Sequence, residues 1–143
     1  MEIKNISARA VGTILFHVND LRKEKQLAAL CRKMGLTPRT IKQQDVNKPL
    51  GSICVQGGMK GLSLNGERKT ARKTAPDNYK LPALIVFSGL SDEELDRFLE
   101  EYKNSGIAPV GLKAVLTPTN YSWSIYELVC ELEKEKMQYE SKL

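Results

Sequence analysis

The chain has 143 residues, 41% of them hydrophobic, a size at which one core or two half-sized units sharing a core is the usual outcome. No apolar run approaches the ~20 residues that span a bilayer, the longest being Leu81 to Phe87, and MEIKNISARAV lacks the apolar stretch of a signal peptide, so a cytoplasmic protein with no membrane partner is expected. The formal charge of +5 is unevenly spread: residues 1–82 hold 16 Lys and Arg against 6 Asp and Glu, residues 83–143 hold 6 against 11.

Residues 1–12 read as a lead-in or short edge strand. TILFHV from Thr13 is a β-branched and aromatic run of strand length. Asn19 and Asp20 then offer cap oxygens to a helix whose Leu27, Leu30, Cys31 and Met34 fall at i, i+3, i+4 and i+7. Gly35 supplies its left-handed end. Leu36 to Val46, with Pro38, is a thinly apolar strand suited to a sheet edge, and Asn47 to Val55 is a turn into a short helical or extended piece.

Residues 56–80 hold four glycines, one proline and six basic residues, the composition of a flexible Gly-rich basic linker. ALIVF after it is continuous enough for a central strand buried on both faces. SDEELDRFLEEYKNSG is a helix opened by a Ser91–Glu94 capping box, with Leu95, Phe98, Leu99 and Tyr102 as its apolar stripe and Gly106 as its stop. GLKAVL then sets Leu112, Ala114 and Leu116 on one strand face and Lys113 and Val115 on the other. The last helix runs from Trp123, with Asn120 or Ser122 as its cap and Ile125, Leu128, Val129 and Leu132 as its buried stripe.

A shift of 71 residues lays the two halves over each other without a gap. Ile14, Phe16, Gly35, Pro38 and Lys42 fall on Ile85, Phe87, Gly106, Pro109 and Lys113. The reading is an α/β (α+β) chain of duplicated βαβ units forming a ferredoxin-like α/β sandwich, with an additional C-terminal helix. Residues 1–55 are the first unit, 56–80 the linker, and 81–143 the second unit plus that helix, in one compact domain. The alternative is a small parallel sheet with helices on both faces, its second face covered by the last helix or by a dimer partner.

LIVFSGLSDEELDRFLEEYKNSGI followed by KAVLTPTNYSWSIYEL resembles an uncharacterised bacterial family, the domain of unknown function family numbered 3783, over about residues 82–135. The resemblance implies a small bacterial protein and carries no catalytic roles.

One constellation has chemical content. Lys113 on its strand, Thr117, Thr119 and Asn120 in the loop, the amides of the next helix start, and Lys42 at the duplicate position together suit a small anionic ligand. Against this, Thr117 and Asn120 also suit turn and cap amides, and Lys113 suits an exposed sheet face. No catalytic residue, metal site or cofactor is nominated. His17 is the lone histidine, and Cys31, Cys54 and Cys130 form no CxxC pair; a flavin enzyme of the nitroreductase kind finds no signature. The expected function is therefore a non-enzymatic ligand-binding or protein-interaction module, with homodimerisation through the charge split. Nucleic-acid binding by Arg68, Lys69, Arg72, Lys73 and the basic first helix is the alternative.

Overall fold

The structure is a computed structural model, described for residues 12–54 and 74–141. Its elements are β1 (Thr13–His17), α1 (Leu21–Lys33), β2 (Thr37–Thr40), a 3-10 turn (Gln43–Asp45), α2 (Leu50–Cys54), β3 (Leu84–Ser88), α3 (Asp92–Asn104), β4 (Leu112–Val115) and α4 (Ile125–Ser141). The N-terminal lead-in lies outside the described residues, as does most of the predicted linker.

The four strands form one sheet in the order β2-β1-β3-β4. β1 pairs parallel with β2, β3 parallel with β4, and β1 antiparallel with β3. The mixed α/β class expected from sequence is therefore present, but the ferredoxin-like detail is corrected. That arrangement splits each βαβ unit with a strand of the other. Here each unit pairs its own two strands, and within the sheet the units join through β1 and β3.

Alternation along the central strands builds two cores. Ile14 and Phe16 of β1 and Ile85 and Phe87 of β3 point to one face, where Leu27, Leu30 and Cys31 of α1 and Phe98 and Tyr102 of α3 cover them. Leu15, Leu84 and Val86 point to the other, under Leu50 of α2 and Ile125, Leu128 and Val129 of α4. The second cover that ALIVF demands thus comes from the last helix. Burial also fixes one chemical property: it pushes the Cys31 thiol up to about 12. A thiol held protonated is a poor nucleophile, so in a Cys54→Ser background iodoacetamide at neutral pH is expected to label half-buried Cys130 and spare Cys31, which is free and buried, as peptide mass spectrometry would read.

The ends of α1 and α3 match their sequence signals. Asp20 accepts from Arg22 N. Ser91 and Glu94 form the reciprocal box at 3.1 and 2.8 Å, and Gly35 and Gly106 take φ of 75° and 85°, a region that costs other residues strain. The last helix differs from expectation. It starts at Ile125, and its cap is Ser124, whose Oγ accepts from Glu127 N while Glu127 Oε1 accepts from Ser124 N.

Residues 74–80 of the expected linker lie among the described residues. Ala75 and Leu81 are buried, Ala75 N donates to Asn47 Oδ1 at 2.9 Å, and the Gln43 side chain holds both Tyr79 O and Leu81 N, at 2.7 and 2.9 Å. Residues 74–81 are therefore packed against the turn that follows β2. Tyr79 adds an edge-on contact with Tyr126 of α4, ring centroids 4.9 Å apart.

Candidate functional site

The antiparallel register of β1 and β3 sets Leu15 directly opposite Val86, and these are residues related by the 71-residue shift. A pseudo-twofold axis normal to the sheet passes between them, which supports the duplication in the first strands and helices. Beyond Gly106 the correspondence changes. Thr13 pairs with Thr37, whereas Leu84, its counterpart, pairs with Leu112, so β2 and β4 are related by 75 residues. Lys113 is thus the counterpart of Pro38, and Lys42 that of Thr117. The gapless match of Lys42 with Lys113 is overturned by this register.

Hydrogen bonds after the strands repeat the shift of 75. Ile41 N donates to Phe16 O as Leu116 N does to Phe87 O, each at 2.8 Å. Lys42 N donates to Asp45 Oδ2 as Thr117 N does to Asn120 Oδ1, each at 2.9 Å. The two loops then join across the axis. Leu50 N donates to Trp123 O and Gly51 N to Tyr121 O, while Ile125 N donates to Lys48 O and Tyr126 N to Val46 O, at 2.8 to 3.1 Å. Pro49 and Ser124 form an antiparallel bridge at the centre.

This clasp consumes the groups an anion would use. The first amides of a helix are its anion-binding donors, and in α4 those of Ile125, Tyr126 and Glu127 go to Lys48 O, Val46 O and Ser124 Oγ. Asn120, 8% exposed, accepts from Thr117 N at its Oδ1, donates its own N–H to Thr117 Oγ1, and donates Nδ2 to Val115 O at 3.1 Å. Its counterpart Asp45 pairs with Lys48 at 3.0 Å.

Thr117, Thr119 and Asn120 lie together at the carboxyl end of β4, with Thr119 exposed. Lys113 lies roughly 13 Å of extended chain before Thr117, and its ammonium turns the other way, donating to Val110 O at 2.7 Å. Lys42 follows β2, at the opposite edge of the sheet. His17 Nδ1 donates to Ile41 O at 2.8 Å, a structural bond. Among the described residues no group of three or more His, Cys, Asp and Glu is placed to hold a metal ion, and no helix is long and apolar enough to cross a membrane.

Charge totals over the two halves of the chain do not reveal the outer surface of α1 and α3. Both helices cover one sheet face, and they run antiparallel because β1 and β3 do. α1 carries five Lys and Arg against Glu24, a net of +4; α3 carries six Asp and Glu against Arg97 and Lys103, a net of −4. Arg22, Lys25, Arg32 and Lys33 are exposed on the first, and Asp92, Glu93, Asp96 and Glu100 on the second. The charge split seen along the chain is thereby folded into two stripes on one surface. Among the described residues one ion pair joins the two stripes, Lys33 with Glu101 at 3.6 Å, and an exposed pair of that kind contributes little.

Residues 83–139 match the model of the family described as Domain of unknown function (DUF3783), the family that the motifs after Pro82 resemble. No curated protein and no solved structure matches the chain.

Proposed function

We propose that this chain, with its DUF3783 segment, is a protein-interaction module whose working surface is the outer face of α1 and α3. The observation that carries the reading is the equal and opposite charge of the two helices, +4 beside −4, on one solvent-facing layer. Such a surface favours partners with a complementary two-sign pattern and disfavours those of a single sign. It weighs against nucleic acid, since the α3 carboxylates would repel the phosphates that α1 attracts; Arg68, Lys69, Arg72 and Lys73 lie outside the described residues. The occupied amides of α4 likewise leave an anion site at Lys113, Thr117, Thr119, Asn120 and Lys42 with less support than the helical face.

Carbodiimide cross-linking in a lysate of cells making the protein tests the reading. Intermolecular cross-links are expected from Lys25 and Lys33 and from Asp96 and Glu100, and are expected to fade in high salt. Cross-links confined to other surfaces, or strong retention on heparin that the α3 carboxylates do not oppose, would overturn it.

A further inference from the structure

We infer that the occupant of the α1 and α3 face is a second copy of this chain. The inference rests on the interaction reading above and names its partner. A surface with equal and opposite halves is complementary to itself: a twofold axis lying in the plane of the face, perpendicular to the line between the two charge centres, carries each basic stripe onto the partner's acidic stripe. That is an isologous contact, the commonest closed form of self-association. The in-plane axis is distinct from the pseudo-twofold within the chain, which runs normal to the sheet and exchanges α1 with α3.

Other routes to self-association are blunted. At the β2 edge Pro38 has no N–H to offer a new strand. At the β4 edge Lys113 introduces a charge and Asn120 Nδ2 already covers Val115 O, both of which discourage strand addition. The opposite sheet face is covered by α4 and α2. On α1 itself Leu21 is 64% exposed and borders a shallow groove with Arg22, Lys25, Gln26 and Ala29, so the basic stripe also presents apolar surface to a partner.

Size sets the strength. Two 13-residue helices are each about 20 Å long and about 10 Å wide, giving roughly 400 Å² per partner, about half of a standard stable interface. The dimer is therefore weak, reversible and governed by salt, since exposed charges are largely screened beyond about 10 Å at ~0.1 M.

Sedimentation velocity on the purified chain tests this, with two charge-reversed variants, Arg22→Glu with Lys25→Glu, and Asp96→Lys with Glu100→Lys. All four positions are exposed, and circular dichroism verifies that both variants fold. Wild type is expected to dimerise at about 30 mM salt with a Kd that rises about tenfold or more at ~0.5 M. Each variant alone is expected to be monomeric, and their equimolar mixture to form a heterodimer, because the first pair of reversals takes α1 from +4 to 0 and leaves its face at −4, whereas the second takes α3 from −4 to 0 and leaves its face at +4. Wild type that stays monomeric at low salt up to ~300 μM, a concentration chosen for weak interfaces, overturns the inference, as do variants that still self-associate or a mixture that stays monomeric. If the purified chain is monomeric but lysate cross-links from this face reach another protein, the second copy falls and the interaction reading stands. If neither occurs, both fall.

Discussion

Gly51→Ala is expected to destabilise the protein by about 3 kcal/mol, at the upper end of overpacking costs. A Cβ at Gly51 would fall 2.2 Å from Cζ of Tyr121 and 2.3 Å from its Cε1, a separation at which the ring must leave its site. Tyr121 is 8% exposed and its carbonyl accepts from Gly51 N at 2.9 Å, so moving it also loosens the clasp between the units. Helix propensity acts the other way, since alanine is the better helix former by ~1 kcal/mol, and the clash outweighs it. Chemical denaturation measures the loss. A double variant with Tyr121→Ala supplies the control: the two changes share one cause, so the pair is expected to be no less stable than Tyr121→Ala alone. A Gly51→Ala protein within ~0.5 kcal/mol of wild type would show that the ring has somewhere else to go.

A comparable or larger loss, about 3–5 kcal/mol, is expected for Phe98→Ala. Phe98 is fully buried, packs edge-on against Phe87 at 5.6 Å between centroids, and stacks at a tilt on Tyr102 at 6.0 Å. Its removal deletes a ring shared by α3 and the central strand. The internal repeat offers a milder substitution at the same place. Leu27 is the counterpart of Phe98 and is also fully buried, so Phe98→Leu puts into the second unit the residue type that the first already uses. That change is expected to cost under half as much as the alanine. Thermal unfolding of both, read with Leu27→Ala, tests the ordering; equal losses for leucine and alanine would mean that ring contacts dominate over volume.

Much of the fold was legible because its signals are local. The left-handed glycines at 35 and 106, the Ser91–Glu94 box and the stripe through Phe98 are each read within one or two turns of helix. ALIVF announced a strand covered on both faces through its unbroken apolarity. The strand order was not legible, because whether β2 lies beside β1 or beyond a strand of the other unit depends on pairing between backbones, which leaves no mark on side-chain pattern. The equation of Lys42 with Lys113 failed for a related reason. Two identities, Pro38 with Pro109 and Lys42 with Lys113, kept the gapless shift attractive past Gly106, whereas the backbone register adds four residues there.

The loop proposed as an anion site illustrates the harder limit. Thr117 and Asn120 are residue types that bind amides, and here the amides are those of their own loop. What takes the first amides of α4 is a pair of carbonyls, Lys48 O and Val46 O, more than seventy residues away and carried by any sequence. The true cap did have a local signature. Ser124 and Glu127 have the spacing of a capping box, which Ser122, with Ile125 three residues on, does not. Gln43 and Asn47, which hold residues 74–81, show no periodicity at all, since each acts through a single amide on a distant backbone.

The clasp between the units also orders events during synthesis. Leu50 and Gly51 leave the ribosome about 70 residues ahead of Trp123 and Tyr121, whose carbonyls accept from their amides, a delay of roughly 4–14 s at ordinary translation rates. Throughout that interval Leu15, Ile41 and Leu50 lack the cover of Ile125 and Val129, and for about its first half β1 also lacks β3. The first half of this chain therefore waits, partly unpaired and with apolar surface open, for its own repeat to arrive and close over it.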